Sequence, residues 1–322
     1  MSNIADSDQA NSTLSSRTTA RSGTVISRHA IIALAVLIAL FSPISTGVFA
    51  QTAPASPLPG SGAPAFFTLP NGMEVILLQL PESESVSLNI VFRGGADVQT
   101  SKSAGLFRML EHVLFRGTAS SPGEPEPAGA TEALGAAFIG GGAETDRFSL
   151  SFVLAPDVLT QGLDTIVYLF SGMRLETAFS DPLTFEEARN ASHFDIDQAF
   201  SDSSAIFDSA MAKKLFVSAP WRLDVTGADY IVNAATEDSL RSLASTWFVP
   251  NNAALIVAGD FPAETIIPMI ENAFSSWKKA GDPWKLPQSA FPKPGITRPT
   301  LMAYPDPSVN DGEALIEMRY RG

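Results

Sequence analysis

The sequence predicts an α+β fold in which helices pack on one face of a mostly antiparallel sheet. Segments with alternating apolar and polar residues, typical of half-buried strands, occur early in the chain and again near its middle. Longer stretches carry apolar residues at helical spacing. The first two strand-like segments are separated only by the polar residues ESES and look antiparallel, so sheet and helices form a two-layer sandwich.

The first predicted elements are strands. MEVILLQLP (73–81) and VSLNIVFRGG (86–95) are rich in β-branched and large apolar residues. In the second segment, Val86, Leu88 and Ile90 alternate with polar neighbours. This period of two residues indicates a strand with one face in the core and one face outside it.

Helical spacing begins soon afterwards and dominates the rest of the folded part. We expect helices at residues 103–116, 157–175, 184–200, 202–216, 237–247 and 263–279. Thr236 is a suitable N-cap for the fifth of them. Two strands interrupt the series, the alternating DRFSLSFVL (146–154) and the short apolar AALIVAGDF (253–261).

Composition excludes several functional classes. The 322 residues carry a formal net charge of −13, which argues against a nucleic-acid partner because phosphate binding needs clustered Lys and Arg. There is no cysteine, so any transition-metal site must use His, Asp or Glu. Only three histidines are present, His29, His112 and His193.

Residues 1–50 are predicted to be a signal peptide. The apolar run Ala30–Phe41 follows a basic segment and is short for a bilayer core of about 30 Å. VFA before Gln51 resembles a cleavage site with Ala50 last, so we expect a periplasmic or otherwise exported protein without stable membrane insertion; an uncleaved anchor is the alternative. Residues 51–64 have the Pro, Gly, Ala and Ser content of a disordered linker.

The C-terminal residues resemble the opening strands. TLMAYPDPSVNDGEALIEMRYRG (300–322) matches residues 75–95 in kind, as strand, acidic turn, strand and a final Arg-Gly. We therefore expect a first domain at residues 65–285, a Pro-rich linker at 286–299 and the start of a second, truncated copy at 300–322.

The helix GLFRMLEHVLFRGT (105–118) carries the most informative side chains. Residues Arg108, Glu111 and His112 share one helix face. Two ligands at positions i and i+4 with a Glu beside them can hold Zn²⁺ and place a general base on its water. A Glu-His pair alone is common on solvated helix faces, and the first ligand position is occupied here by arginine.

Four segments give this helix a family context. They resemble, in order, motifs of the pitrilysin/insulinase family of zinc metallopeptidases, which has an inverted His-x-x-Glu-His site. The segments are FRGGADVQTSKSAGLFRMLEHVLFRGT (92–118), GGGAETDRFSLSF (140–152), APWRLDVTGADYI (219–231) and WFVPNNAALIVAGDF (247–261). The resemblance covers about residues 66–322 and implies a metallopeptidase-type sandwich with a zinc cofactor.

The resemblance also implies residue roles. Glu111 matches the general base and His112 matches a zinc ligand, whereas Arg108 stands where the other histidine ligand belongs. The third ligand of the family is a Glu six residues after an Arg. Here Arg189 and Asp195 occupy those two positions, so the metal site implied by resemblance is degenerate.

The family's substrate-binding Asn-Ala, which precedes a strand, provides a third departure. Gly142 and Ala143 occupy its place, and Glu144 follows them. These three residues are the substrate-binding positions that the resemblance implies. Arg108, Asp195 and Gly142 therefore all differ from the family pattern.

The departures differ in chemical consequence. Aspartate in place of glutamate keeps a carboxylate, but a guanidinium is never a neutral donor and adds a positive charge where a cation belongs. His193 points roughly 160° away from Asp195 on a helix and cannot replace the missing ligand. We expect Arg108 to pair with Glu111 and Asp195, zinc to be unbound and Glu111 to be idle.

Two functions follow from the resemblance. The first is a non-catalytic pseudopeptidase subunit that binds unfolded peptides and partners an active paralogous zinc peptidase subunit. The alternative is an active zinc metalloendopeptidase with atypical ligands. The charge of Arg108 favours the first.

Overall fold

The structure is a computed structural model that describes residues 63–116, 134–201, 203–216, 222–262, 264–285, 301–303, 316, 318 and 319. The predicted signal peptide and the Pro-rich linker lie outside the described residues, as do nearly all of the linker at 51–64 and most of the strand pair predicted at 300–322. Among the described residues, no helix combines the length and the apolar character needed to cross a bilayer.

Six strands form one sheet within the described part of the chain. They are β1 (Ala65–Thr68), β2 (Glu74–Gln79), β3 (Val86–Arg93), β4 (Phe138–Ala143), β5 (Arg147–Leu154) and β6 (Ala253–Gly259). Their order across the sheet is β1-β2-β6-β3-β5-β4. The β2–β6 pair is parallel and the other four pairs are antiparallel, which confirms the predicted mostly antiparallel sheet.

The strands β2 and β3 are not neighbours, although they follow each other in sequence. Strand β6 lies between them, with Val75 opposite Leu255 on one side and Ile90 opposite the same residue on the other. Six of the seven β6 residues are buried, as expected for a central strand covered on both faces. Because β2 is parallel and β3 antiparallel to β6, β2 and β3 run in opposite directions, as predicted, but do not pair with each other.

Eight α-helices are present among the described residues. They are α1 (Leu106–Arg116), α2 (Leu159–Phe170), α3 (Met173–Ala178), α4 (Pro182–Ser201), α5 (Ser203–Leu215), α6 (Asp229–Ala234), α7 (Glu237–Trp247) and α8 (Ile266–Phe274). The N-terminus of α7 agrees with the prediction. The Thr236 side chain accepts the Ser239 N–H, and the Ser239 side chain accepts the Thr236 N–H.

One predicted helix is interrupted. The segment predicted as a single helix over 157–175 begins with a short 3₁₀ turn at Pro156–Val158, continues as α2 and restarts as α3. Gly172 separates α2 from α3 with a φ of 100°. This left-handed conformation suits glycine and ends the first helix.

The core lies between the helices and the alternating faces of β3 and β5. The inward residues of β3 are fully buried, and its other face is only partly covered. An aromatic cluster joins the sheet to the helix layer, with the Phe248 ring centroid 4.8 Å from Phe92, 4.7 Å from Phe148 and 5.4 Å from Phe170. Helix α1 buries Met109 in this core and therefore holds its polar face in a fixed orientation.

Candidate functional site

The polar face of α1 meets α4 and the end of β4. Arg108, Glu111 and His112 come from α1, Asp195 comes from α4, and Ala143 is the last residue of β4. The structure thus brings together side chains that are 83 or more residues apart in sequence. The site is a junction of three elements around one arginine.

The Arg108 guanidinium bonds to two carboxylates. Its Nε donates to Asp195 Oδ2 at 2.6 Å, and its Nη1 donates to Glu111 Oε1 at 2.5 Å. Only 26% of the Arg108 side chain is exposed, against 12% for Glu111 and 16% for Asp195. Both predicted contacts of Arg108 are present, and they are largely shielded from water.

His112 is the fourth side chain of the cluster and the most deeply buried. Its side chain is 2% exposed, and its Nε2 lies 2.7 Å from Asp195 Oδ2, the same oxygen that Arg108 contacts. A carboxylate oxygen only accepts hydrogen bonds, so this geometry places a proton on Nε2. To use the Nε2 lone pair, a metal would have to displace this proton and break the bond to Asp195.

The charges of the cluster support one another. Burial acts to raise the pKa of Asp195, but the hydrogen bonds from Arg108 and His112 outweigh it and hold the pKa below the usual value. Burial acts to lower the pKa of Arg108, and the Asp195 and Glu111 carboxylates outweigh it, so its pKa is raised. The pair is ionised at neutral pH.

Glu111 has a second partner that the sequence did not reveal. Its Oε2 accepts the backbone N–H of Ala143 at 2.9 Å. Neighbouring Gly142 has a φ of 135°. Glu144 lies at the surface instead, where its Oε2 accepts Arg147 Nη2 at 2.5 Å.

The other residues singled out in the sequence lie apart from the cluster. His193 Nδ1 lies 2.7 Å from Asp229 Oδ1 on α6, so this histidine points away from Asp195, as its helix position predicted. Arg189 bonds to Glu186 and to the carbonyl of Ala235. Neither side chain reaches Asp195.

The donor set does not fit zinc. A catalytic zinc takes three protein ligands and a water. Within the described residues, no group of three or more His, Cys, Asp or Glu side chains could hold a metal ion. His112 and Asp195 bond to each other, and the first ligand position of the motif carries the Arg108 guanidinium.

Comparison with known proteins identifies the family. The model described as "Insulinase (Peptidase family M16)" matches residues 74–224, and the model described as "Peptidase M16 inactive domain" matches residues 234–310. An uncharacterized zinc protease of Rickettsia felis is 23% identical over 215 residues, which are 66% of this chain and 50% of that protein. The chain thus spans half the length of this curated relative.

Solved structures show the same fold. The peptidase M16 inactive domain from Pseudomonas fluorescens superposes with a TM-score of 0.60 at 17% identity, covering 72% of this chain and 55% of that one. The periplasmic protease PqqL from Escherichia coli gives a TM-score of 0.57 at 20% identity, covering 69% of this chain and 25% of that one.

The sandwich of sheet and helices has the fold of a metallopeptidase-type domain. The protein belongs to the insulinase, or pitrilysin, family of peptidases.

Proposed function

We propose that this protein is a non-catalytic member of the family, which binds unfolded peptides and works beside an active zinc peptidase subunit. The observation that carries the proposal is the bonding of Arg108. Its guanidinium occupies a ligand position and holds both Glu111 and Asp195, the carboxylates that the family resemblance assigns to catalysis and to the metal.

The other polar groups of the cluster are already occupied by hydrogen bonds within the protein. A general base needs a free carboxylate oxygen beside the water that it activates. One oxygen of Glu111 accepts from Arg108 and the other accepts from the Ala143 amide. His112 donates to Asp195. The cluster therefore favours a structural role over water activation.

The end of β4 is where we propose that a peptide binds. Strand β4 is an edge of the six-stranded sheet in the described part of the chain, and Phe138 and Ile139 on it are 55% and 41% exposed. Extended peptides can add to such an edge through main-chain hydrogen bonds. Gly142 to Glu144 are proposed as further contacts through groups other than the Ala143 and Glu144 N–H donors, which bond to Glu111 and to the Arg147 carbonyl. They lie beside an open cleft of about 770 Å³ lined partly by Phe216.

Two findings support the partner and the location. The family model over residues 234–310 is described as an inactive domain, and a chain without catalytic groups would need another subunit to act in proteolysis. One structural neighbour is described as a periplasmic protease. Together with the apolar run before Gln51, this supports export as part of the proposal.

Restoring the missing ligand tests the central step. We expect Arg108→His to acquire zinc binding measurable by calorimetry, and Arg108→His with Asp195→Glu to bind more tightly because the longer side chain reaches further. Arg241→His is the matched control, since it places a histidine beside the single, exposed carboxylate of Glu176. Chelator-sensitive peptide cleavage by the unmodified protein would support the active-peptidase alternative instead.

Peptide binding and partnering need separate measurements. A labelled unfolded peptide should bind the unmodified protein and remain uncut, as read by fluorescence anisotropy and mass spectrometry. An active paralogous subunit should cleave the peptide faster when this protein is added. If neither binding nor stimulation is seen, the proposed role is wrong even if no zinc binds.

A further inference from the structure

Gly142 lies against the Glu111 carboxylate. A Cβ atom built on Gly142 would lie 2.6 Å from Glu111 Oε2 and 2.8 Å from Oε1 and from Cδ. Real Cβ atoms essentially never approach other heavy atoms this closely. The Glu111 carboxylate therefore fills the space that any side chain at position 142 would need.

Two hydrogen bonds keep the carboxylate in this place. Arg108 Nη1 holds Oε1 at 2.5 Å, and the Ala143 N–H holds Oε2 at 2.9 Å. Arg108 is itself held by Asp195 on α4. A chain of contacts thus runs from α4 through α1 to the end of β4.

We propose that Arg108, Glu111 and Gly142 form one coupled unit, in which Arg108 and Glu111 are positioning residues for the end of strand β4. Arg108 directs the Glu111 carboxylate onto the Gly142–Ala143 backbone, and the absence of a side chain at position 142 makes room for it. The arginine and the glycine, two separate departures in sequence, then depend on each other.

The unit has a consequence for ligands. The Ala143 N–H is bonded to Glu111, so a strand that adds to β4 cannot use this donor. The inference goes beyond the proposed function, because the coupling holds whether or not a peptide or partner binds.

Gly141 is a matched control for Gly142. It also has a positive φ, 129° against 135°, so alanine is strained at both positions. A Cβ at Gly141 would meet the Ser149 carbonyl oxygen at 2.2 Å and has no Glu111 atom among its nearest neighbours. Backbone strain is therefore common to both glycines, and contact with Glu111 is specific to Gly142.

A double-mutant cycle in the full chain tests the coupling. Gly142→Ala is measured by denaturant unfolding in the parent, in Glu111→Ala and in Arg108→Ala. We expect Gly142→Ala to raise the unfolding equilibrium constant by a factor about tenfold smaller in Glu111→Ala than in the parent, because the colliding carboxylate is gone. The increase should be intermediate in Arg108→Ala, where Glu111 can turn away. Gly141→Ala should have the same effect in all three backgrounds.

Amide hydrogen exchange gives a readout that does not require the glycine variants to fold. In Arg108→Ala and Glu111→Ala, the Ala143 amide should exchange about tenfold faster, as expected for the loss of one hydrogen bond. The Glu144 amide, which donates to the Arg147 carbonyl at 2.9 Å, should keep its rate. Equal cost of Gly142→Ala in all backgrounds, or unchanged Ala143 exchange in both variants, would overturn the proposal.

Discussion

Replacing Arg108 by methionine should destabilise the protein strongly. Methionine keeps most of the side-chain volume but removes the charge and both donors, so two largely buried carboxylates lose their shared cation. The Glu111 and Asp195 side chains are only 12% and 16% exposed, so water cannot fully replace the guanidinium. The substitution should therefore reduce the unfolding free energy by more than the loss of a surface ion pair does.

The expected loss of unfolding free energy follows from the two hydrogen bonds that Arg108 donates. Charge-assisted hydrogen bonds contribute about 1.5–3 kcal/mol each, and the partial exposure of Arg108 favours the lower end. Losing both then costs about 3 kcal/mol, near the lower end of the range for removing one partner of a buried pair. For a domain of this size, that corresponds to a melting temperature lower by about 6–12 °C.

Arg147→Met is the control for this experiment. Arg147 also bonds to a carboxylate three residues away at 2.5 Å, but Arg147 and Glu144 are 47% and 44% exposed. Such a surface pair contributes about 0–1 kcal/mol. Urea unfolding with chelator present gives both free energies, and a cost for Arg108→Met no larger than that for Arg147→Met would refute the reasoning.

Three further predictions concern other parts of the chain. N-terminal sequencing of exported protein should begin at or near Gln51, and an intact N-terminus in the membrane fraction would favour an anchor. Burial raises the pKa of Asp97 more than the Gly95 N–H bond lowers it, so ionisation of Asp97 opposes folding. The parent should therefore lose stability relative to Asp97→Asn as pH rises from 3.5 to 7 through this raised pKa, and a constant or opposite difference would contradict the assignment. Phe248→Ala should cost about 3–5 kcal/mol in the unfolding free energy because it empties the aromatic cluster, whereas the half-exposed Phe66→Ala should cost far less.

Local sequence patterns were enough to predict much of the fold. The alternation in β3 and β5 and the capping residue of α7 were readable because each depends on nearby residues only. Strand β4 was not predicted, since FIGGGA has three glycines and little β propensity. It exists because it pairs with β5 over its whole length, which is tertiary context that overrides local preference.

The sheet order could not be read in the same way. Placing β6 between β2 and β3 joins segments more than 160 residues apart, and no local signal encodes that pairing. The short helix α6 was missed because its six residues are too few to show a helical period.

The candidate site was likewise only partly predictable from the sequence. Charge and spacing on one helix were enough to predict that Arg108 pairs with Glu111, and family resemblance added Asp195. The contact of Glu111 with the Ala143 amide was not predictable, because a backbone N–H has no sequence signature. Gly142 was recognised as a departure, but its fit to the Glu111 carboxylate needed the geometry of the junction.

Metal analysis of the unmodified protein tests the central claim most directly. The purified chain is treated with a chelator, re-equilibrated with excess zinc, desalted and measured by inductively coupled plasma mass spectrometry. Because Arg108 occupies the ligand position and His112 donates to Asp195, the account predicts far less than one zinc per chain. One zinc per chain that survives desalting and is released by chelator would contradict it.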